Sequence, residues 1–263
     1  VRSPIIMECF VHTDKKYFPE YNWFEKAISY PYEAPKTSFT FKNGKFYQGI
    51  HISLKDRVPI ISIGSNRSPY QLKNKFGINE NLCVTPAKLC NSIIVYAASI
   101  SAYGSIPATQ WPCEGSVSEL NLLWLSYDQL QIMHLSEGLG VAYDYVELDK
   151  DSVIIQDEDY SGSIFGYISV RGGYLFENNL PFQLKNIKSS LNTYSSINEY
   201  EALNKLFLDN PSGQNSLECW LKKIISNKSM RLSLIDKMSQ KSLLPNDVPW
   251  KVIDVKVDGN NIY

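Results

Sequence analysis

The stretch VPIISIGSN occupies residues 58–66 and sets a run rich in β-branched residues directly before a glycine. A short apolar run that is bounded by turn residues is typical of a buried strand. Gly64 ends the run, and a glycine followed by Ser65 and Asn66 has the chemistry of a turn. We therefore predict a buried strand from Val58 to Ile63 that leads the chain into a sharp bend.

Later segments have a similar strand-like composition and predict further strands of one sheet. They are residues 92–100, 116–125, 143–148 and 164–170. Arg171-Gly172-Gly173 follows the last of them and predicts a tight turn. Residues 196–208, 216–225 and 229–238 have apolar residues at helical spacing instead, and they predict amphipathic helices.

This order of elements predicts an α+β fold, with helices on the flanks of a sheet. Residues 1–56 are rich in aromatic residues and prolines and show little periodicity, so we expect an irregular N-terminal wrap with one helical turn near 23–29. Residues 57–175 would form the core. Residues 176–263 would form a helical C-terminal extension packed on the same domain.

Composition excludes several function classes. The chain has 263 residues, with 26 basic against 27 acidic residues and a formal net charge of -1, which argues against nucleic acid or an anionic membrane as a partner. Its five cysteines include no C-x-x-C pair, which argues against a disulfide framework and a zinc site and predicts reduced thiols. We see no signal peptide and no apolar segment of about 20 residues, so we expect a cytoplasmic location.

A helix is predicted from Ser126, where Ser126 and Gln129 form a capping-box pattern, to a stop at Gly138. At about 100° per residue, Glu137 projects onto the same side as Leu130, Met133, His134 and Tyr127. The Glu137 carboxylate would lie on an apolar face, at the negative end of the helix dipole and without a basic neighbour in sequence. These surroundings favour the protonated form of the group and suit general acid/base chemistry. The alternative is a partly exposed glutamate at a helix C-terminus.

The turn at Gly64-Ser65-Asn66 is a second candidate element. A strand that bends sharply at a glycine exposes successive backbone N–H groups, which can hold an anion or a developing oxyanion. The same tripeptide also occurs in ordinary turns. His12 and His51 have no further metal-ligating residue at a typical spacing in the sequence, whereas His134 lies one turn before Glu137 and is a candidate for the same pocket.

Together, these two elements resemble the γ-glutamylcyclotransferase-like superfamily, whose members carry a Tyr-Gly-Ser-Asn loop after the first core strand and a catalytic glutamate later in the chain. A strand, a helix, Glu137-Gly138 and Tyr143 follow here in the family's order. Residues 102–109, AYGSIPAT, resemble the segment that closes the second strand pair in bacterial members. The resemblance covers residues 58–148 and departs from the family at Ile63, which stands in the place of the loop tyrosine.

The resemblance implies that the core is a mixed sheet or a small β-barrel. It also implies an enzyme that cyclises a γ-glutamyl or related acyl-amine substrate and releases an amine, without a metal or an organic cofactor. Glu137 would be its acid/base, and Tyr143 or Tyr145 would orient Glu137 or the substrate. Ile63, Gly64, Ser65, Asn66 and His134 would complete the substrate site.

Two other interpretations stay open at this level. The same fold could serve as a non-catalytic module that binds a small molecule, or as an interaction domain whose C-terminal helices bind another protein. Fold resemblance alone does not choose among the three.

Overall fold

The computed structural model describes residues 15–255. Six helices lie in this part of the chain: α1 Trp23–Ile28, α2 Pro69–Phe76, α3 Tyr127–Glu137, α4 Glu199–Asp209, α5 Leu217–Ser226 and α6 Lys228–Gln240. The strands are β1 Phe39–Lys42, β2 Lys45–Gln48, β3 Val58–Ser62, β4 Asn81–Tyr96, β5 Ala108–Leu125, β6 Tyr143–Leu148, β7 Val153–Ile155, β8 Phe165–Ser169, β9 Gly173–Tyr174, β10 Gln183–Leu184, β11 Ser196–Ile197, β12 Ser242–Leu243 and β13 Trp250–Val252.

A long antiparallel hairpin of β4 and β5 forms the centre of the sheet. The register shifts between Cys90 and Ser92, where Asn91 has a positive φ and its side chain accepts a hydrogen bond from Gly115 N. Such a bulge bends a strand and increases its twist. The second edge of β4 pairs in turn with β1, β7 and β10, so this edge is covered along most of its length.

The sheet is mixed. Its main path runs β11-β10-β4-β5-β3-β8-β6-β13, and only the β3–β8 and β10–β11 pairs are parallel. The strands of residues 15–255 do not close into a barrel, since β11 and β13 end this path without pairing to each other. The predicted α+β class with a mixed sheet is confirmed, and the small-barrel alternative is not found.

Apolar side chains pack on both faces of the sheet because neighbouring residues of a central strand point to opposite sides. On β5, Trp124 belongs to a core cluster with residues of α1, α4, α5 and α6. Its neighbour Leu123 belongs to another cluster, with residues of α2 and α3. The end of β3 therefore lies between two groups of helices.

Most of the predicted elements are found. β6 has the predicted bounds, and β3 and β8 differ from the prediction by one residue at one or both ends. β4 and β5 begin well before the predicted segments, at Asn81 and Ala108. β4 ends at Tyr96, so the prediction of strand for residues 97–100 is wrong. The helical segments of the last third are present, although α4 is capped by Asn198 and begins after Ser196, which lies in β11.

The prediction of an irregular segment over residues 1–56 is wrong for residues 39–48. These form the β1–β2 hairpin, which joins the main sheet through β1. Asn43 and Gly44 both have a positive φ at its turn, and Asn-Gly is a strong hairpin signal. The helical turn expected near 23–29 is α1.

Within residues 15–255, no helix combines the length and apolar character that crossing a bilayer requires. Four cysteines lie in this range, and all four are free: Cys83, Cys90, Cys113 and Cys219. The fifth cysteine, Cys9, and the histidine His12 lie outside the described residues.

Candidate active site

Helix α3 places Glu137 at its C-terminal end. Ser126 Oγ accepts a hydrogen bond from Gln129 N, and the Gln129 side chain accepts one from Ser126 N, so the predicted capping box is present. Gly138 adopts the left-handed conformation that ends the helix. Leu130, Met133 and His134 are buried as projected, but Tyr127 is 71% exposed and takes no part in the apolar face.

The Glu137 carboxylate has two polar partners, both from the segment that follows β3. Asn66 Nδ2 donates a hydrogen bond of 3.0 Å to Glu137 Oε1, and Lys75 Nζ of α2 forms an ion pair with the same oxygen. The side chains of Lys75 and Glu137 are only 7% and 14% exposed. Glu137 has no basic neighbour in sequence, but the fold brings Lys75 of α2, which is 62 positions away, against its carboxylate.

The turn after β3 is tightly packed. Gly64 has φ -136° and ψ -128°, and a Cβ added there would overlap the Tyr30 hydroxyl oxygen and lie 3.4 Å from the Ala108 Cβ. A side chain at position 64 would therefore force Tyr30 or the turn itself to move. Ser65–Arg67 then forms one turn of 3-10 helix, which directs the Asn66 side chain to Glu137. Asn66 Oδ1 is buried without a hydrogen-bond partner among the described residues.

These elements enclose a cavity of about 490 Å³. Its wall includes the end of β3 and its turn, parts of α2 and α3, the loop from Ser99 to Ala108, and two residues of α6. Polar side chains of the lining include Ser65, Asn66, Gln71, Lys75, Ser136, Glu137 and Arg171, and apolar ones include Ile61, Ile63, Ile100, Val141, Leu232 and Ile235. A mostly apolar cleft with a few convergent polar groups is typical of small-molecule sites.

Four tyrosines, Tyr30, Tyr103, Tyr143 and Tyr167, also line the cavity. Burial raises the pKa of each phenol, and the negative charge of Glu137 raises the pKa of Tyr103, Tyr143 and Tyr167 further. The phenols therefore keep their protons and can donate hydrogen bonds. Tyr143 Oη donates one of 3.0 Å to Ala108 O.

Six of the eight residues predicted for the site line this cavity: Ile63, Gly64, Ser65, Asn66, Glu137 and Tyr143. His134 and Tyr145 do not. His134 is packed behind the wall, where its Nδ1 lies 2.8 Å from Tyr167 Oη and its ring contacts Tyr145 edge-on. Burial lowers the pKa of His134, which favours the neutral imidazole. Tyr145 stacks on Phe165 in the core cluster on that side of the sheet.

This arrangement can move a proton and hold a polar substrate. A mostly buried carboxylate contacts a lysine and an amide, and protonated phenols line the same cavity. These groups have fixed dipoles that would stabilise charge developing on a bound molecule. Among the described residues, no group of three or more His, Cys, Asp or Glu side chains could hold a metal ion.

Comparisons with known proteins show a distant structural likeness. No family model matches the chain, and no curated protein matches it significantly. The solution structure of the Arabidopsis thaliana protein At5g39720.1 aligns with 67% of this chain and 97% of its own length, at 15% sequence identity and a TM-score of 0.36.

Sequence reasoning missed several residues of the cavity, above all Lys75, Tyr30 and Arg171. A signal for α2, which carries Lys75, was present: Ser68 precedes Pro69 at the first helical position, and Gly77 stands at the C-cap. No local pattern would have assigned Tyr30 or Arg171 to the cavity, since each reaches it from a remote segment.

Proposed function

We propose that this protein is a γ-glutamylcyclotransferase-like enzyme that uses Glu137 as its acid/base. One observation carries the proposal: Glu137 and the Gly64–Asn66 turn line the same cavity, and Asn66 contacts the carboxylate. Residues 57–175 would supply this catalytic core. The resemblance in the order of motifs adds independent support.

The proposed reaction needs no other reactant. The α-amine of a γ-glutamyl substrate attacks its own γ-carbonyl carbon and gives up a proton to Glu137. A new C–N bond closes the lactam, the old C–N bond breaks, and Glu137 returns the proton to the departing amine nitrogen. Backbone N–H groups of Gly64 to Asn66 are the candidates that hold the oxyanion or the substrate carboxylate.

Lys75 has a clear part in this scheme. Its ammonium group forms an ion pair with the carboxylate oxygen that Asn66 also contacts. The two contacts restrict the orientation of that carboxylate. A base must be correctly oriented at the start of the reaction, so the two contacts support the role of Glu137.

The test measures 5-oxoproline release from a panel of γ-glutamyl-amines. Glu137→Gln keeps the size of the side chain but cannot carry the proton, so turnover should fall on the order of 10²- to 10⁴-fold while substrate still binds. Glu218→Gln is the matched control, because Glu218 is an exposed residue of α5 outside the cavity. Equal turnover of wild type and Glu137→Gln would refute the acid/base role.

A second candidate is a non-catalytic module that binds the same type of ligand. In this candidate, the Asn66 and Lys75 contacts would only hold the Glu137 side chain in place. The replacement of the family's loop tyrosine by Ile63 favours it. Ligand binding by wild type without lactam release from any member of the panel would select this candidate.

A further inference from the structure

A second cavity of about 490 Å³ carries a concentration of positive charge. Its lining includes five cationic side chains and one carboxylate: Lys36, Arg67, Lys88, Lys185, Lys188 and Glu119. The chain as a whole has a formal net charge of -1, so this charge is a local feature. Clefts lined by one sign of charge focus the electrostatic field and raise the local concentration of the opposite ion.

The fold itself brings these residues together. Lys88 of β4 lies opposite Glu119 of β5 in the sheet, and Glu119 N donates a hydrogen bond of 2.8 Å to Lys188 O. Arg67 reaches the same place from the turn after β3, where its Nη1 donates a long hydrogen bond of 3.4 Å to Glu119 O. Lys36 approaches from the N-terminal segment, ahead of β1.

Most of this charge is not neutralised. Glu119 forms an ion pair of 2.5 Å with Lys188, and the other four cationic side chains form no ion pair with any residue in the range 15–255. Arg67 is the most constrained of them: its Nε is buried without a hydrogen-bond partner in this range, and burial lowers the pKa of its guanidinium. Glu33 and Glu119 are the acidic side chains that oppose this charge, but within residues 15–255 neither forms an ion pair with Arg67. A desolvated cation without a paired carboxylate costs free energy, which a bound anion would offset.

We propose that this cavity is a binding site for a small phosphate-bearing molecule. Its volume falls in the range of small-molecule sites, whereas a nucleic acid needs an extended basic stripe and an overall basic surface. Lysines bind phosphate as point charges, and an arginine adds directed donors. The site is separate from Glu137 and does not depend on the proposed lactam-forming activity.

The test is isothermal titration calorimetry of the full chain with pyrophosphate. Wild type should bind it with an affinity that falls as the salt concentration rises. The double variant Lys88→Gln/Lys185→Gln should bind at least about tenfold more weakly, because two charge-assisted contacts are lost. Arg67 is left unchanged, since its neighbour Asn66 contacts Glu137.

The control is Lys222→Gln/Lys223→Gln, which removes the same charge from exposed positions of α5 and should leave the affinity unchanged. Citrate, a carboxylate of comparable charge, should bind more weakly than pyrophosphate. Lack of pyrophosphate binding by wild type, an equal loss in the control, or equal citrate affinity would each overturn the proposal. If the double variant does not fold, Lys36→Gln on the exposed N-terminal segment should still weaken binding.

Discussion

Asn66 Nδ2 donates a hydrogen bond of 3.0 Å to Glu137 Oε1 across 71 positions of sequence. This contact joins the turn after β3 to the C-terminal end of α3, so the two candidate elements of the site are in physical contact. The position of the carboxylate therefore depends on the conformation of the turn. A substitution in either element should therefore also alter the position of the other.

The Lys75–Glu137 ion pair should contribute measurably to stability because both side chains are mostly buried. Lys75→Met leaves an uncompensated carboxylate, so the free energy of unfolding should fall by about 3 kcal/mol. Urea denaturation gives this value. Lys73→Met makes the same change at an exposed position of α2 and should have a much smaller effect.

The double variant Lys75→Met/Glu137→Gln should recover part of that loss, since it removes both charges together. Strictly additive effects of the two substitutions would show that the pair is not coupled. Glu137→Gln alone leaves Lys75 unpaired, so this variant can lose stability as well as the acid/base group. Its melting temperature must therefore be compared with that of the double variant before a loss of turnover is assigned to the missing acid/base.

Gly64 and Tyr30 should be energetically coupled. A Cβ at position 64 would overlap the Tyr30 hydroxyl, so Gly64→Ala should destabilise the fold by about 1 to 3 kcal/mol, as overpacked cores do. Tyr30→Phe removes the obstructing oxygen, so Gly64→Ala should cost less in that background. A double-mutant cycle by chemical denaturation measures the difference. Equal costs in both backgrounds would mean that the turn relaxes away from Tyr30.

Glu199 should make stability fall as pH rises. Its side chain is 1% exposed, Oε1 accepts a hydrogen bond of 2.6 Å from Ile106 N, and Oε2 has no hydrogen-bond partner among the described residues. Burial raises the pKa of this carboxyl well above the ordinary value of 4.5. The folded state then binds the proton more tightly than the unfolded state, so the stabilisation is complete below pH 4.5 and is lost as pH rises through the folded-state pKa.

Glu199→Gln keeps the acceptor for Ile106 N and removes the titration. Above pH 4.5, the unfolding free energy of wild type should fall relative to that of this variant by up to about 1.4 kcal/mol per pH unit. Urea denaturation between about pH 4.5 and 8 measures it. His134 acts in the opposite direction, because its pKa is lowered by burial, but it is common to both proteins and cancels in the difference. A flat difference would contradict the assignment.

The cysteines should differ strongly in reactivity. Cys83 is fully buried, and burial raises the pKa of its thiol to about 12, so it should react with a thiol reagent only after unfolding. Cys219 is exposed and should react in the native protein. Comparing wild type with Cys219→Ser identifies the fast phase. Denatured protein should show all five thiols without reductant, and any shortfall would reveal a disulfide.

Much of the local structure could be predicted because its causes are local. The β-branched run before Gly64 formed β3, and the capping box at Ser126 and Gln129 started α3, which ended at Gly138 as expected. The β1–β2 hairpin and α2 were missed even though Asn43-Gly44 and Ser68-Pro69 signal them.

The sequence by itself determined the strand and turn at residues 58–66, the helix that ends at Glu137, and a composition that argues against a broad basic surface. Only the tertiary structure decided that Lys75 pairs with Glu137, that Tyr30 packs on Gly64, and that α6 supplies Leu232 and Ile235 to the cavity wall. Caps and turns arise from hydrogen bonds between residues a few positions apart, which a local pattern encodes. Contacts across many positions depend instead on how strands pair and helices pack, and no local pattern specifies that.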